Sequence, residues 1–165
     1  MTDRLSEERA RALLVQEALL LDRRRWDDWL AMYGPAAVFW VPSWRDDEHP
    51  VEDPDKEVSL IYHAGRAALE DRVWRLQSGR SAASTPILRT LHSVTGVLLE
   101  GGTDDPTACA NWTCHVYDPK HHKQHVFFGR YEMRYAGDGG EWRIVQKKIV
   151  LLNDYIPTMI DFYCI

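Results

Sequence analysis

The chain has 165 residues, a length typical of one domain whose core needs no disulfide or metal staple. Hydrophobic residues make up 45% and charged residues 27%, and the net charge of −5 gives no basic excess to attract nucleic acid or an anionic membrane. No apolar run approaches the roughly 20 residues of a membrane span, and the charged start predicts no export signal. Three cysteines form no disulfide framework, so we expect reduced thiols and a cytoplasmic protein.

The first half of the sequence predicts three helices and two short strands. Ser6 is placed to cap the first helix, and Gly34-Pro35 is expected to end the second. Residues 43–56 hold two prolines and many charges, which predicts a mobile surface loop. The predicted elements are helices from Glu7, over Trp26–Met32 and from Gly65 to Ser78-Gly79, and strands over Ala37–Val41 and Val58–Tyr62.

The second half predicts only strands joined by tight turns. One strand, Thr107–Tyr117, alternates cleanly, and a slip in the alternation near Gln146–Lys148 predicts a bulge. The other strands are expected over Ile87–Leu99, around Phe127–Tyr135 and over Trp142–Leu152. This order predicts a single α+β domain spanning residues 1–165, in which a strongly curved, mostly antiparallel sheet packs against three helices. The arrangement resembles the NTF2-like cone.

The search for metal ligands finds one dense candidate. Asp118, His121, His122 and His125 lie in and beside a predicted hairpin turn, where polar residues collect for solvation alone. An iron–sulfur cluster needs cysteine and histidine ligands at fixed spacings, which the cysteines of this chain do not offer. We therefore predict a solvated turn and no metal in this chain.

Acid–base catalysis inside a conical cavity is the alternative function. His63, Asp71 and His92 could supply the groups for a dehydratase or isomerase. The competing interpretation is structural: the two histidines bond backbone groups at strand ends, and Asp71 pairs with Arg75 one helical turn away. No spacing among these residues requires catalysis, so the structural interpretation is favoured.

Arginines and aromatic residues predict a subunit interface. Five arginines fall between Arg66 and Arg89, and seven tryptophans are spread along the chain. The segment Asn153–Ile165 is too apolar for a free terminus, so we expect it to pack into its own cone or against a neighbouring subunit. The interface candidates are Trp44, Arg72, Trp74, Arg75, Arg80, Arg89, Tyr155 and Phe162.

Five segments resemble one family in the same order along the chain. They are EALLLDRRRWDDWLAMY, VFWVPSWRDDE, SLIYHAGRAALEDRVWRL, GRSAASTPILRTLH and KKIVLLNDYIPTMIDFYCI. They are similar to the small (beta) subunits of bacterial aromatic-ring-hydroxylating dioxygenases, nearest to the benzoate and anthranilate type.

The resemblance implies an NTF2-like cone that is a non-catalytic structural subunit in a complex of three large and three small chains. The small chains are expected to self-associate as a trimer. The large subunit would hold the Rieske 2Fe-2S cluster, the mononuclear non-haem iron and the aromatic substrate, and a separate reductase would deliver electrons from NADH. The free-standing dehydratase or isomerase remains the alternative.

Overall fold

The computed structural model describes residues 4–80, 85–138 and 140–165. Its helices are α1 (Glu7–Asp22), α2 (Trp26–Ala31) and α3 (Arg66–Gln77). Its strands are β1 (Tyr33–Pro42), β2 (Ser59–Ala64), β3 (Arg89–Glu100), β4 (Thr107–Asp118), β5 (Lys123–Asp138) and β6 (Glu141–Leu151). Across the described residues, no helix has the length and apolar character that crossing a membrane requires.

The six strands form one sheet in the order β2-β1-β6-β5-β4-β3. Every neighbouring pair is antiparallel except β1 and β6, which run parallel. The sheet is strongly curled, and its concave face packs against the helices, with α1 against β3 and α3 against β1. The predicted α+β cone is therefore confirmed.

The inner face of the sheet follows the predicted alternation. On β4 the buried residues are Ala108, Ala110, Trp112, Cys114 and Val116, and on β5 they include Phe127, Tyr131, Met133 and Tyr135. Gly129 on β5 permits the close approach of β6, because a Cβ atom there would overlap the carbonyl oxygen of Val150. These strands supply one wall of the core, and the helices supply the other.

The start of β1 and the position of the bulge in β6 differ from the sequence prediction. Strand β1 begins at Tyr33 and runs through Gly34-Pro35, because Tyr33 pairs with Ile144 and the backbone N–H of Ile144 donates to the carbonyl of Met32. The bulge in β6 lies at Val145, one residue before the predicted range, since the register passes from Tyr135–Ile144 to Arg134–Gln146. Both shifts depend on long-range strand pairing.

The β1–β2 loop is folded onto itself. Trp44 forms an isolated bridge with Pro50, and Val51 is only 4% exposed. The guanidinium of Arg45 donates to both carboxylate oxygens of Glu57, at 2.7 and 2.9 Å. The hydrogen bond from Arg45 lowers the pKa of Glu57 to about 2. The loop is charged, as predicted, but it is internally bonded where a mobile excursion was expected.

Candidate functional site

A buried ion pair occupies the centre of the cone. Lys147 of β6 is fully buried, and its Nζ atom lies 2.9 and 3.1 Å from the carboxylate oxygens of Glu17 on α1. The same carboxylate accepts hydrogen bonds from Trp29 Nε1 at 2.7 Å and Tyr33 Oη at 2.9 Å. Sequence reasoning missed this pair. Its signals in the sequence were Glu17, a charged residue within the apolar stripe of α1, and the slip in the alternation of β6.

The surroundings of the pair stabilise it as a structural link. Burial lowers the pKa of Lys147, while the adjacent Glu17 carboxylate acts in the opposite direction. Burial, together with the Glu17 charge, raises the pKa of Tyr33 far above its ordinary value. The Lys147 Nζ atom also lies 4.6 Å from the centroid of the Tyr131 ring. Because the carboxylate is surrounded by protein donors, this group holds α1 to the sheet.

The last residues of the sequence fill the cone. Phe162, Tyr163, Cys164 and Ile165 are each at most 1% exposed. The Phe162 ring stacks on Trp29, with ring centroids 4.9 Å apart. The segment therefore packs into its own domain, which is one of the two arrangements expected from its apolar sequence. The interface prediction for Phe162 is wrong, because this side chain has no exposed surface.

Arg72 on α3 anchors this segment. Its guanidinium donates two hydrogen bonds to the carboxylate of Asp161, at 3.1 and 3.0 Å. Asp161 is 3% exposed and also accepts from the backbone N–H of Phe162. Such two-pronged pairing fixes geometry as well as charge. Arg72 was predicted to contact another subunit, but its charged group is engaged within its own chain.

A second polar pair joins α1 to β3. His92 Nδ1 lies 2.6 Å from one carboxylate oxygen of Asp22, and the His92 backbone N–H donates to the other oxygen at 2.8 Å. Burial acts to raise the pKa of Asp22, but the hydrogen bonds and charge of His92 outweigh it, so this pKa lies below its ordinary value. The prediction that His92 bonds a backbone group is wrong. Asp22 carried no signal in the sequence.

The chemistry available at His92 is limited by its surroundings. Its Nε2 atom is buried and has no hydrogen-bond partner among the described residues. The Cys114 thiol lies 3.8 Å from His92 Nδ1. Burial strongly raises the pKa of Cys114, so the thiol stays protonated at neutral pH and is not an activated nucleophile.

The three residues of the alternative acid–base site are not brought together. His63 is on β2 and His92 is on β3, which form the opposite edges of the sheet. His63 packs beside the Phe39 ring, and burial, followed by the charge of Arg72, lowers its pKa. Asp71 is exposed on α3, and the structure records no ion pair between it and Arg75 within the described ranges. That predicted pair is wrong.

The polar residues of the β4–β5 turn point to different partners. Asp118 accepts from His121 Nδ1 at 2.7 Å, and His122 Nδ1 lies 3.0 Å from the Tyr117 hydroxyl. The His125 ring packs edge-on against a core phenylalanine. In the part of the chain that the structure describes, no group of three or more His, Cys, Asp or Glu side chains is placed to hold a metal ion.

Several of the predicted interface residues lie on the surface. Trp74 is 56% exposed and carries the Arg80 guanidinium 5.2 Å from its ring centroid, while Tyr155 is 73% exposed. Arg75 and Arg89 are exposed as well. Trp44 is partly buried, and its indole N–H donates to the carbonyl of Leu151 at 2.7 Å. Residues 81–84, which belong to the segment between Arg80 and Arg89, lie outside the described residues. The surface positions remain a prediction of contact with other subunits.

Comparison with known proteins agrees with this geometry and with the sequence resemblance. The model of the ring hydroxylating beta subunit family matches residues 16–158. The small subunit of 2-halobenzoate 1,2-dioxygenase from Burkholderia cepacia is 44% identical over 155 residues, covering 92% of each chain. The beta subunit of benzoate 1,2-dioxygenase from Acinetobacter baylyi is 37% identical and covers 99% of this chain and 96% of its own.

Similarity extends to a solved structure. The crystal structure of the beta subunit of benzoate 1,2-dioxygenase from Burkholderia mallei superposes with a TM-score of 0.81, at 36% identity and with 99% of each chain covered. Sequence and fold therefore agree over nearly the full length of the chain. The chain belongs to the ring hydroxylating beta subunit family, the small subunits of aromatic-ring-hydroxylating dioxygenases.

Proposed function

We propose that this chain is a non-catalytic structural subunit that supports a catalytic large subunit in the oxidation of a benzoate-type aromatic acid. The names of its relatives, small subunit and subunit beta of benzoate and halobenzoate dioxygenases, describe parts of larger oxidoreductases. The filled interior of the cone is the observation that supports a structural role. Phe162–Ile165 are buried in the interior of the cone, and the Glu17–Lys147 pair is surrounded by protein groups.

The proposed complex places the redox chemistry on another chain. Three large and three small subunits would assemble, with the small chains in contact with one another and with the large ones. The Rieske 2Fe-2S cluster, the mononuclear iron and the substrate would lie in the large subunit, and a separate reductase would supply electrons from NADH. We place the complex in the cytoplasm, in keeping with the three free thiols Cys109, Cys114 and Cys164.

Co-expression with the large subunit of the same dioxygenase tests the proposal. We expect the two chains to copurify in equal amounts, and benzoate-dependent oxygen consumption to require both together with the reductase. The isolated chain is expected to contain no stoichiometric iron and to turn over no aromatic acid. Iron bound tightly to the isolated chain, or failure of the two chains to associate, would contradict the proposal.

The Asp22–His92 pair is the observation that favours the alternative, a dehydratase or isomerase within the cone. A His92→Gln variant assembled with the large subunit separates the two functions. If the chain is structural, the assembled complex keeps its oxygenation rate per iron. If His92 is catalytic in this chain, the isolated wild-type protein catalyses a reaction that the isolated His92→Gln variant does not.

A further inference from the structure

A small cleft lies where the β4–β5 turn meets the residues before β3 and the segment Asn153–Ile165. We call it the turn cleft. Its apolar lining comes from Pro86 and Leu88, before β3, and from Met159. Its volume is about 160 Å³. An apolar cavity of about 150 Å³ engineered into another protein binds benzene, so the turn cleft has room for a molecule with a single ring.

The apolar wall of the turn cleft is anchored to the core. Leu88 is 8% exposed and belongs to the core cluster, and Met159 is partly buried against that cluster. The backbone N–H of Leu88 donates to the Tyr163 hydroxyl at 3.4 Å, and its carbonyl accepts from the Arg24 guanidinium at 3.5 Å. Because both backbone groups of Leu88 are bonded, this wall is held in place without a ligand.

The polar lining of the turn cleft comes from the β4–β5 turn and contains one uncompensated charge. The Asp118 carboxylate accepts from the backbone N–H groups of Lys120 and His121, at 2.8 and 3.2 Å, and lies 2.7 Å from His121 Nδ1. Its negative charge is therefore compensated within the turn. The Lys120 side chain also lines the turn cleft, and it forms no ion pair with any residue that the structure describes.

The surroundings of the turn cleft favour an anion. The Arg24 guanidinium lies at the carbonyls of Ile87 and Leu88, and the Arg89 guanidinium lies 5.7 Å from the centroid of the Tyr117 ring, next to the β4–β5 turn. The chain as a whole has a net charge of −5, so these cations are a local feature. Charge of one sign around a concave site raises the local concentration of ligands of the opposite sign.

We propose that the turn cleft binds a monocyclic aromatic carboxylate, with its ring against Leu88 and Met159 and its carboxylate at Lys120. A neutral apolar ligand leaves the Lys120 charge unused, and an inorganic anion leaves the apolar wall in water. An aromatic acid satisfies both parts of the lining, as expected of sites that combine apolar walls with a few polar groups. The inference goes beyond the proposed function, because it gives the non-catalytic chain its own site for the class of acid that the proposed complex oxidises.

Nuclear magnetic resonance of the methionine methyl groups tests the assignment with benzoate as the probe. The full-length chain, labelled with ¹³C at these methyl groups, has four methionines, of which Met159 lines the turn cleft while Met32 and Met133 are buried in the core. Because an aromatic ring shifts the resonances of groups that it contacts, we expect benzoate to move the Met159 signal saturably. The signals of Met32 and Met133 are expected to stay in place, and a Met159→Leu variant assigns the signal.

Substitution of Lys120 tests the position of the carboxylate. Lys120→Gln is expected to weaken benzoate binding by about fivefold or more, because it removes the cation that faces the carboxylate. Lys123→Gln is the matched control: Lys123 is an exposed lysine at the start of β5, outside the turn cleft. This control changes the net charge by the same amount and is expected to bind benzoate as wild type does. Equal weakening in the two variants would show a general charge effect and overturn the assignment.

Competing probes separate the ring from the charge. Acetate, which lacks the ring, and benzamide, which lacks the charge, are each expected to displace benzoate from the turn cleft at concentrations about tenfold higher or more. Displacement by acetate or inorganic phosphate as readily as by benzoate itself would reduce the turn cleft to an anion site and contradict the proposal. A Met159 signal that benzoate does not move, or equal movement of the Met32 and Met133 signals, would also overturn it. The measurement needs only this chain, so its outcome is independent of binding to the large subunit.

Discussion

The two faces of the sheet carry similar apolar side chains but differ in what covers them. On the inner face, aromatic and aliphatic residues pack against three helices and against Phe162–Ile165, so the interior is completed by the chain itself. On the outer face, the β1–β2 loop folds near one end, where Trp40 and Val150 are 5% and 3% exposed, but Phe128 and Leu152 remain in solvent. The inner face accounts for a stable cone, whereas the outer face leaves apolar side chains partly exposed.

Ion pairs on the inner and outer sides of the sheet also differ. Inner charges are paired and surrounded, as in Glu17–Lys147 and Arg72–Asp161. Buried pairs of this kind cost much when one partner is removed, because the remaining charge is left without water or a counter-ion. Outer ion pairs such as Glu132–Lys148 are more exposed and contribute little to folding. Substitutions on the two faces should therefore differ in both size and kind of effect.

Removal of residues 161–165 should give the largest effect. Loss of the four buried side chains Phe162–Ile165 and of the Arg72–Asp161 pair is expected to lower the free energy of unfolding by about 5 kcal/mol or more. Phe162→Ala alone should cost about 3–5 kcal/mol. Urea unfolding measures both, with the exposed Tyr155→Ala as control. An unchanged midpoint in the shortened chain would show that the interior does not depend on this segment.

Replacement of Lys147 by methionine should come next. The change leaves the Glu17 carboxylate buried without its cation, so we expect a loss of about 3–5 kcal/mol in the free energy of unfolding. Lys148→Met is the matched control at the adjacent position, because Lys148 pairs with the exposed Glu132 and should cost less than about 1 kcal/mol. Equal losses for the two variants in urea would remove the distinction between inner and outer charges.

The Asp22–His92 pair predicts a smaller, pH-dependent effect. The folded-state pKa of Asp22 is lowered, so its carboxylate stabilises the fold above the unfolded pKa of about 3.9, and this contribution is lost as pH falls through the folded value. Asp22→Asn should cost about 1–3 kcal/mol at pH 7, and its difference from wild type should shrink between pH 5 and pH 3. The exposed Asp71→Asn serves as the control variant. A pH-independent difference for Asp22→Asn would contradict the prediction.

Local patterns predicted the elements well where the period was strong. The alternation of Thr107–Tyr117 placed β4 correctly, and the helix predicted from Gly65 to Ser78-Gly79 matches α3, because one-sided burial imposes a period on the sequence. The start of β1 was not predictable in this way. Gly34-Pro35 was expected to end the second helix, yet pairing with β6 includes these residues in a strand.

The residues of the site also divide into those that local sequence indicates and those that it does not. Trp74, Arg80 and Tyr155 were selected because tryptophan, arginine and tyrosine are enriched at interfaces, and the structure leaves Trp74 and Tyr155 exposed. Glu17, Asp22 and Lys147 could not be found from local sequence. Glu17 and Lys147 are 130 positions apart, and Asp22 and His92 are 70 positions apart.

The sequence by itself determined the α+β class, the family and the apolar character of the final segment, since periodicity, short motifs and composition carry them. Only the tertiary structure decided that this segment fills its own cone, that Arg72 anchors it, and that Glu17 of α1 pairs with Lys147 of β6. The physical reason is that strand register and the choice of a packing partner depend on contacts between residues far apart in the chain, which no local pattern contains.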